Sequence, residues 1–417
     1  MREMNSTGIV WCPSIPSDWE VRRVKDCFYI SKVKAGTKNP VVLKLARSGV
    51  QVKDVTVNGG QMAESYDDYN PVQVGDLLLN PMDLYSGANC NVSEVEGVIS
   101  PAYVNLRAKE TLNPYYFDYY FKIQYWTMAM FAHGKGVSYD NRWTINAESV
   151  KAYELPFPSV SEQNAIVDII KRKCTQIDAL ISNAKQQIEK LKAYKQSVIT
   201  ETVTKGLDPD VTMKDSGVEW IGEIPEHWDT IRVKQLLRER KERSVNGEEE
   251  PLSMSQKLGL VPTKMLDMIP NMASSFVGAK LAYVDDLVFN KLKAHLGVFS
   301  VSKYDGLVSP DYAVYFSTGI CDLKYLEYLF KTPQCISEFR KRSTGIAAGL
   351  TRLYTDGLFA IECPYPPIEV QKKIANHLDH KCAQIDKLIT LKQQKIEKLQ
   401  QYKKSLIYEY VTGKKEV

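Results

Sequence analysis

Three short segments of the sequence carry residue types that serve as catalytic groups in enzymes. Residues 113–116 (Asn-Pro-Tyr-Tyr) approach the Asp/Asn-Pro-Pro-Phe/Tyr signature of amino-methyltransferases, but tyrosine stands where the second proline belongs. Asp229 and the Glu-Arg-Lys run at 239–241 imitate a nuclease pattern inside a run of charges. His377 and His380 share a helical face without an obvious carboxylate companion. None of the three is a complete site, so packing and solvent exposure are the favoured interpretations.

Common catalytic and metal-binding motifs are also absent from the sequence. It has no phosphate-binding P-loop, no Gly-x-Ser-x-Gly nucleophile elbow and no His-Glu-x-x-His zinc motif. Its eight cysteines never form a Cys-x-x-Cys pair, and its five histidines follow no zinc-ligand spacing. We therefore predict a non-catalytic chain that holds no metal and whose cysteines are reduced, mostly buried thiols.

Length and composition limit the class of protein. With 417 residues, of which 44% are hydrophobic and 25% charged, the chain has a globular composition and is long enough for two or three domains. No run of 18 apolar residues could span a membrane, and the first residues lack the apolar core of a secretion signal. These features predict a cytoplasmic protein.

The sequence is a tandem duplication. The Ile-Pro-x-x-Trp segment that begins at Ile15 recurs at Ile224, and residues 161–204 and 369–412 are identical at 21 of 44 positions. This repeat is domain-sized, far longer than the 20–50 residues of solenoid repeats. Each copy is therefore predicted to be a globular part followed by a long helix, which gives the chain an internal pseudo-two-fold repeat.

Each copy ends in a heptad pattern of apolar residues. The alternating spacing of 3 and 4 without proline is typical of a long helix with a narrow apolar seam, about 65 Å long, which needs a partner helix. The nearest partner is the other copy, in antiparallel orientation. Lys195, Lys392 and Lys403 interrupt the seam and are expected to extend toward solvent, or to mark where the pairing ends. The predicted seam residues are Ile170, Cys174, Ile177, Ile181, Ile188, Leu191, Val198, Leu378, Cys382, Ile385, Ile389, Ile396, Leu399 and Leu406.

These patterns predict a mixed α/β fold. Short β-branched runs between glycine turns indicate strands in both globular parts, and the two heptad segments predict long helices that form an antiparallel coiled coil. The predicted divisions are a first globular domain at 1–158, a central spacer helix at 159–206, a linker at 207–223, a second globular domain at 224–366 and a C-terminal spacer helix at 367–417.

Positive charge is concentrated on the predicted helices. Residues 161–205 contain eight basic and five acidic residues, and residues 369–417 contain eleven and six, whereas the net charge of the whole chain is only +4. The remainder is therefore net negative. Any binding of nucleic acid by the globular parts must depend on local clusters of basic residues.

Two similar domains on a rigid spacer suit a ligand with two separated sites. Successive major grooves of duplex DNA face the same side about every 34–36 Å. The helices and the Ile-Pro-x-x-Trp segments are nearly the same in both copies, whereas residues 44–70 and 254–278 diverge. This pattern favours a DNA reader with two different specificities. Two alternatives remain open: a coiled-coil adaptor with paired protein- or glycan-binding domains, and an enzyme with an unrecognised active site.

The sequence resembles the specificity subunits of type I restriction–modification systems. The resemblance lies in residues 215–228, which end in Ile-Pro-Glu-His-Trp, in residues 286–294, and in the proline-rich segment and helix start at 364–375. It continues through residues 385–389 and the Lys-Ile-Glu-Lys-Leu run at 395–399, and the first copy repeats much of it. Essentially the whole chain is covered.

The resemblance implies a non-catalytic specificity subunit in the cytoplasm of a prokaryote. Each globular part would be a target recognition domain that reads one half of a bipartite, asymmetric site in double-stranded DNA. The coiled coil would set the unread gap and dock two methyltransferase subunits, and the complex would recruit restriction (translocase) subunits. Adenine-N6 methylation with S-adenosylmethionine, and cleavage with ATP and Mg²⁺, would belong to those partners, so no cofactor is expected in this chain.

Loop residues at repeat-related positions are the predicted contacts to DNA. Polar side chains at base edges would specify sequence, and basic ones at phosphates would position the duplex. The predicted DNA-binding residues are Lys44, Arg47, Ser48, Tyr85, Ser86, Asn89, Lys135, Ser138, Tyr139, Asn141, Arg142, Ser255, Gln256, Lys257, Asn290, Lys291, Lys293, His295, Arg342, Ser343, Thr344 and Arg352.

Overall fold

A computed structural model describes most of the chain. The described residues are 2–31, 34, 36, 40–46, 48–55, 65–82, 84–85, 89–136, 143–256, 258–268, 275–345 and 351–417. Contacts divide the chain into unit 1 (Met1–Lys185 with Gln394–Val417) and unit 2 (Gln186–Gln393). Each unit contains one globular part and a segment of each long helix. Within the described ranges, no helix is long and apolar enough to cross a membrane.

The strands of each unit are short. In unit 1 they are β1 (Met4–Ile9), β2 (Cys12–Pro16), β3 (Glu20–Arg23), β4 (Phe28–Ile30), β5 (Leu43–Ala46), β6 (Gly49–Val52), β7 (Asn70–Val72), β8 (Leu77–Leu79), β9 (Cys90–Val92), β10 (Gly97–Ile99), β11 (Val104–Ala108) and β12 (Glu154–Phe157). In unit 2 they are β13 (Met213–Asp215), β14 (Glu223–Pro225), β15 (Asp229–Arg232), β16 (Leu237–Glu239), β17 (Leu252–Ser255), β18 (Gly259–Pro262), β19 (Lys280–Ala282), β20 (Leu287–Asn290), β21 (Phe299–Val301), β22 (Gly306–Val308), β23 (Tyr312–Ser317) and β24 (Glu362–Tyr365).

Two helices are much longer than the others. The α-helices are α1 (Val24–Cys27), α2 (Pro114–Trp126), α3 (Ala147–Ala152), α4 (Val160–Lys205), α5 (Val233–Leu236), α6 (Leu323–Phe330), α7 (Pro333–Arg342), α8 (Thr355–Phe359) and α9 (Ile368–Val411), with 3-10 helices at Met130–His133, Thr263–Met265 and Ala294–Leu296. Helices α4 and α9 are the two predicted spacer helices.

The two globular parts have the same sheet topology. A four-stranded antiparallel sheet has the order β4-β11-β8-β9 in unit 1 and β16-β23-β20-β21 in unit 2. Each is accompanied by a hairpin, β5-β6 or β17-β18, and by a two-stranded pair, β7-β10 or β19-β22. The predictions of a mixed α/β fold and of an internal repeat are therefore confirmed.

The long helices pair in antiparallel orientation within each unit. In unit 2, the Lys195 ammonium lies 2.6 Å from Asp386 Oδ2, and Lys392 Nζ donates to Gln187 Oε1 over 2.6 Å. Residue numbers therefore increase along one helix while they decrease along the other, as in an antiparallel pair. In unit 1, Lys403 Nζ lies 2.7 Å from Asp178, which is the repeat-related counterpart of the Lys195–Asp386 pair. The lysines that interrupt the seam thus bond across the helix pair.

The predicted seam residues are largely buried. Ten of the fourteen are buried, and Leu191, Val198, Ile389 and Leu399 are half-buried. Toward the C-terminal end of α4 the buried positions move to Ile199 and Val203, which join the hydrophobic core of unit 2. This shift is expected, because an α-helix with 3.6 residues per turn drifts away from a strict 3.5-residue repeat.

A buried glutamine connects the start of each long helix to its globular part. In unit 2, Gln371 Oε1 accepts a hydrogen bond from Asp322 N (2.9 Å) and its Nε2 donates to Pro366 O (2.8 Å). Gln163 makes the equivalent bonds in unit 1, accepting from Asn113 N (2.8 Å) and donating to the carbonyl of Pro158. Both glutamines are at most 1% exposed, so these bonds satisfy backbone groups that water does not reach.

The tryptophan of the repeated Ile-Pro-x-x-Trp segment covers the glycine that ends a long helix. Gly206 follows α4 with φ of +85°, and a Cβ placed on it would lie 3.2 Å from the Trp228 ring. Gly413 follows α9 with φ of +68°, and a Cβ there would lie 3.1 Å from the Trp19 ring. Glycine alone provides both the left-handed backbone and the close approach. The repeated segment therefore fixes where each helix ends.

The segment predicted as a linker, 207–223, is partly integrated into unit 2. Strand β13 pairs with β14, with Met213 opposite Pro225 and Asp215 opposite Glu223. Ile221 is buried in the core of this unit. The pairing of β13 with β14 was not part of the sequence prediction.

Repeat-related buried acids in α2 and α6 have opposite pKa shifts. Burial raises the pKa of Asp118, which has one lysine partner, Lys122, with Nζ 2.5 Å from its Oδ2. Burial on its own would also raise the pKa of Glu327, but the ammonium groups of Lys331 (2.5 Å) and Lys324 (3.1 Å) bring it below its usual range. The surroundings of Asp118 thus favour the protonated acid, and those of Glu327 favour the carboxylate.

We expect acid to affect the two units in opposite directions. Glu327 should stabilise unit 2 above its unfolded pKa of about 4.3, and this contribution should disappear as the pH falls through the lower folded value. Asp118 should destabilise unit 1 at neutral pH and cease to do so as the pH falls. Amide hydrogen exchange of each unit from pH 6 to pH 3 would measure both effects. As the pH falls, unit 2 of the native protein should lose stability relative to the Glu327→Gln variant. Unit 1 of the native protein should gain stability relative to the Asp118→Asn variant. The opposite sign in either comparison would contradict the assigned pKa shifts.

Candidate nucleic-acid interface

Several segments of unit 2 meet at Tyr312, the first residue of β23. The Tyr312 hydroxyl accepts a hydrogen bond from Met254 N in the β17–β18 hairpin (3.4 Å) and bonds to the side chain of Asn290 at the end of β20. Its carbonyl accepts a hydrogen bond from Lys280 Nζ (2.6 Å) at the start of β19. Residues from different strands therefore lie together around Tyr312. We call the surface formed by Met254, Lys280, Asn290 and Tyr312, together with the loops beside them, the unit 2 face.

The loop after β20 adds basic side chains to the unit 2 face. Lys291 N donates to Asp311 O (3.3 Å), and Lys291 O accepts from Leu353 N (3.0 Å). The guanidinium of Arg352 lies 3.0 Å from Asp311 Oδ1, and the backbones of Thr344 and Arg352 exchange hydrogen bonds of 3.0 and 2.8 Å. The structure thus brings together Asn290, Lys291, Thr344 and Arg352, which the sequence predicted as DNA contacts.

Other predicted residues of unit 2 lie in neighbouring turns. Ser255 Oγ accepts from Leu258 N (3.3 Å) in the hairpin turn, and Gln256 beside it is exposed. Lys293 is exposed in the loop after β20, and His295 is half-buried. The Nδ1 atom of His295 is buried without a hydrogen-bond partner in the described structure. Contact of these four residues with DNA stays a prediction.

Two of the predicted contacts have local structural roles. The Arg342 guanidinium pairs with Glu338, one turn earlier in α7. Ser343 Oγ donates to Phe339 O (2.6 Å) where that helix ends. Both side chains therefore stabilise the C-terminal end of α7, and their contact with DNA stays a prediction.

The β5–β6 hairpin carries the first group of predicted residues in unit 1. Lys44 is exposed on β5, and Ser48 Oγ accepts from Gln51 Nε2 (2.9 Å) in the turn. The Asn89 side chain donates to Ala46 O, which attaches the loop before β9 to the hairpin. Lys44, Ser48 and Asn89 are therefore neighbours.

The backbone frame of the unit 2 face is repeated in unit 1. Lys135 and Thr144 exchange backbone hydrogen bonds of 2.8 and 3.0 Å, as Thr344 and Arg352 do in unit 2. Ile145 N donates to Pro81 O (2.9 Å), in the place of the bond from Leu353 N to Lys291 O. The equivalent face of unit 1 is therefore built on the same main-chain bonds, and we call it the unit 1 face.

Aromatic side chains occupy part of the unit 1 face. Tyr85 is 59% exposed, and its ring lies 6.4 Å from that of Phe131. Phe131 stacks on Trp143 with 5.3 Å between ring centroids, and Trp143 Nε1 donates to Phe131 O (2.8 Å). Such rings can contact the apolar edges of bases, for example the methyl group of thymine.

The predicted contacts Arg47, Ser86, Ser138, Tyr139, Asn141, Arg142 and Lys257 lie outside the described residues.

The two faces differ in side chains although they share a frame. Lys291 corresponds in repeat position to Pro81, Arg352 to Thr144, and Asp311 to Ala102. The residues of unit 2 are charged, and those of unit 1 are apolar or neutral. The two faces therefore present different chemical groups at equivalent positions of the frame.

Sequence reasoning missed two basic residues of the unit 2 face, Lys280 and Arg243. They are an isolated bridge pair, and Arg243 Nη1 donates to Gly278 O (2.7 Å). Burial lowers the pKa of Lys280, and the neighbouring charge of Lys291 lowers it further. The only sequence signal was that each is a lysine or arginine, because proximity to Lys291 depends on pairing between strands distant in sequence.

The segment that approaches a methyltransferase signature has a structural role. Asn113 is the N-cap of α2, where its Oδ1 accepts from Tyr115 N (3.0 Å). The Tyr116 ring is fully buried, and its hydroxyl donates to Val411 O (2.8 Å) near the end of α9. Tyr325, its counterpart in unit 2, donates to Val203 O (3.0 Å) near the end of α4.

Within the described ranges, no group of three or more histidine, cysteine or acidic residues could hold a metal.

Curated proteins with similar sequences are specificity subunits of type I restriction enzymes. The chain is 23% identical over 435 aligned positions to the type I restriction enzyme MjaVIII specificity subunit of Methanocaldococcus jannaschii, covering 96% of this chain and 93% of that protein. It is 25% identical to the putative type I restriction enzyme MjaX specificity subunit of the same organism, covering 96% and 94%. No protein-family model matches the sequence.

Solved structures show the same fold. A chain of a type I restriction–modification system, solved in work on its complex assembly and conformational transition, matches with a TM-score of 0.72 at 14% identity, covering 96% of this chain and 99% of that one. The HsdS subunit from Thermoanaerobacter tengcongensis matches with a TM-score of 0.56 at 13% identity, covering 96% and 98%. The resemblance predicted from the repeated motifs is confirmed: over nearly its whole length, this chain is similar in sequence to the specificity subunits of type I restriction enzymes and shares the fold of an HsdS subunit.

Proposed function

We propose that this chain is the DNA sequence-specificity subunit of a type I restriction–modification complex. The observation that carries the proposal is the similarity, over 96% of the chain, to specificity subunits of type I restriction enzymes. Each globular part reads one half of a bipartite, asymmetric site in double-stranded DNA. The antiparallel helix pair sets the length of the unread gap.

The shared frame with different side chains supports two separate half-sites. Identical faces in a pseudo-symmetric chain would bind two identical, inverted sequences. Instead, Lys291 and Arg352 on the unit 2 face correspond to Pro81 and Thr144 in unit 1, where Tyr85 and other aromatic side chains are available. The recognised site is therefore asymmetric, with a different sequence in each half.

Catalysis belongs to partner subunits in this proposal. Two methyltransferase subunits dock on the chain and methylate adenine N6 with S-adenosylmethionine, which requires the base to leave the helical stack. Restriction subunits, which use ATP and Mg²⁺, join the same complex. The specificity chain holds no cofactor and determines which DNA sequence the complex binds.

Reconstitution tests the proposal directly. The chain and a methyltransferase subunit are incubated separately and together with genomic DNA and S-adenosylmethionine, and methylated adenines are mapped by sequencing. Only the mixture should methylate, and the sites should share two conserved parts with a gap of constant length. Methylation by the isolated chain, or sites without a shared sequence, would refute the proposal.

Arg352→Gln should weaken binding to the target site with little effect on folding. Its ion pair with Asp311 has side chains 42% and 46% exposed, and such pairs contribute only about 0–1 kcal/mol to stability. Loss of a contact to a base edge costs about 1–3 kcal/mol, so we expect the affinity of the complex for its site to fall by about 5- to 160-fold.

Arg232→Gln is the matched control for this measurement. Arg232 forms a similarly exposed ion pair with Glu362 (3.3 Å) on the β15–β24 pair. Binding isotherms with the mapped site should show a loss for Arg352→Gln and none for Arg232→Gln. Equal affinities for the two variants would remove Arg352 from the interface.

Removing one heptad from each long helix should shorten the unread gap. Deletion of residues 182–188 and 390–396 removes repeat-related heptads and leaves Asp178, Lys195, Asp386 and Lys403 in place to form their pairs. Methylation mapping of the reconstituted complex should give the same two half-sites with a smaller gap. An unchanged gap would show that helix length does not set the spacing.

A further inference from the structure

We propose that Arg243, Lys280 and Lys291 form a binding site for one backbone phosphate of duplex DNA on the unit 2 face. The inference rests on the proposed function and deepens it, because it separates a positioning contact from the side chains that read bases. Lys291 was predicted to contact DNA without a role, and Arg243 and Lys280 were not predicted to contact it.

Backbone pairing places the three cations beside one another. Arg243 and Lys280 face each other as an isolated antiparallel bridge, and Arg243 Nη1 donates to Gly278 O (2.7 Å). Lys280 Nζ donates to Tyr312 O (2.6 Å). Lys291 N donates to the carbonyl of Asp311 (3.3 Å), the residue before Tyr312. Main-chain carbonyls hold Lys280 and Arg243 without neutralising their charge, so both keep the capacity to bind an anion.

The cluster has an excess of positive charge. Two acids lie close enough to influence Lys280, namely Glu239 and Asp311. Each has another partner, since Thr355 Oγ1 donates to Glu239 Oε2 (2.8 Å) and the Arg352 guanidinium lies 3.0 Å from Asp311 Oδ1. Burial and the two neighbouring cations together lower the pKa of Lys280 despite these acids. An anion placed between the cations would relieve their mutual repulsion.

A purely structural role does not account for the cluster. The ammonium of Lys291 makes no hydrogen bond or ion pair with any residue that the structure describes. The same strand positions in unit 1 hold Asn70 in place of Lys280 and Pro81 in place of Lys291, and the frame is preserved there. The fold therefore does not require a charge at the positions of Lys280 and Lys291, whereas the position of Arg243 holds Lys34 in unit 1.

A phosphodiester is the ligand that fits this chemistry best. Lysine ammonium groups bind phosphate as point charges, and arginine binds it with a fork of N–H donors. Phosphate contacts fix the position of the duplex and carry no sequence information. The neighbouring Asn290 and Arg352 side chains would then meet base edges in a fixed register.

The first test measures salt dependence. The complex with methyltransferase subunits is titrated with a duplex that contains the mapped site, at several KCl concentrations. For the triple variant Arg243→Gln/Lys280→Gln/Lys291→Gln, the slope of log K against log[KCl] should become shallower by about 0.9, the value for one phosphate contact. Lys291→Gln alone breaks no bond in the described structure and should shift the slope in the same direction. Lys303→Gln, an exposed lysine in the turn after β21, is the control and should leave the slope unchanged.

A methylphosphonate scan then locates the contact. Neutral linkages are placed one at a time across the site, and affinity is measured for native and triple-variant complexes. One linkage should weaken the native complex and leave the variant unaffected. An unchanged salt slope in the variant, or a changed sequence preference in methylation mapping, would overturn the inference while the proposed function stands. A native complex without site-specific binding would refute the proposed function itself.

Discussion

Antiparallel packing between α4 and α9 determines how each unit is built. The apolar seam has residues such as Ile177 and Ile385 buried to 5% and 3% exposure, and neither helix could keep so narrow a stripe from water alone. Lys195 with Asp386, and Lys403 with Asp178, set the register from the rim of the seam. The globular parts then attach at both ends of each segment, through Gln163 or Gln371 at the start and Trp19 or Trp228 at the end.

A frame fixed in this way leaves the recognition faces free to change. The bonds that shape both faces are main-chain bonds, such as Lys135 with Thr144 and Thr344 with Arg352. Side chains that project from such bonds can be replaced without loss of the fold, which is why Lys291 and Arg352 in unit 2 stand where unit 1 has Pro81 and Thr144. This separation of scaffold and specificity is what a reader of two unlike half-sites requires.

The sequence predicted the parts of the structure that depend on local periodicity. The heptads of the two copies indicated both long helices and their partners, because each position repeats within a few residues. Contacts between distant segments were not predictable. Lys195 interrupts the apolar seam in the sequence, and only the register of the helix pair places it at Asp386. Lys280 and Lys291 come together because Lys280 bonds to Tyr312 and the residue before Lys291, Asn290, pairs with Tyr312. The ion pair of Arg342 with Glu338, one turn earlier in α7, was not predicted either.

Replacement of one globular part by a copy of the other tests the central claim most directly. The central claim is that two unlike faces on one repeated frame read the two halves of an asymmetric site. In the hybrid, residues 15–158 stand in place of residues 224–366, so that the matching Ile-Pro and Pro-x-Pro segments join the same helices. Methylation mapping of the reconstituted complex should reveal a symmetric site, with the first half-site present twice in inverted orientation. An assembled complex that still methylates the original asymmetric site would contradict the account.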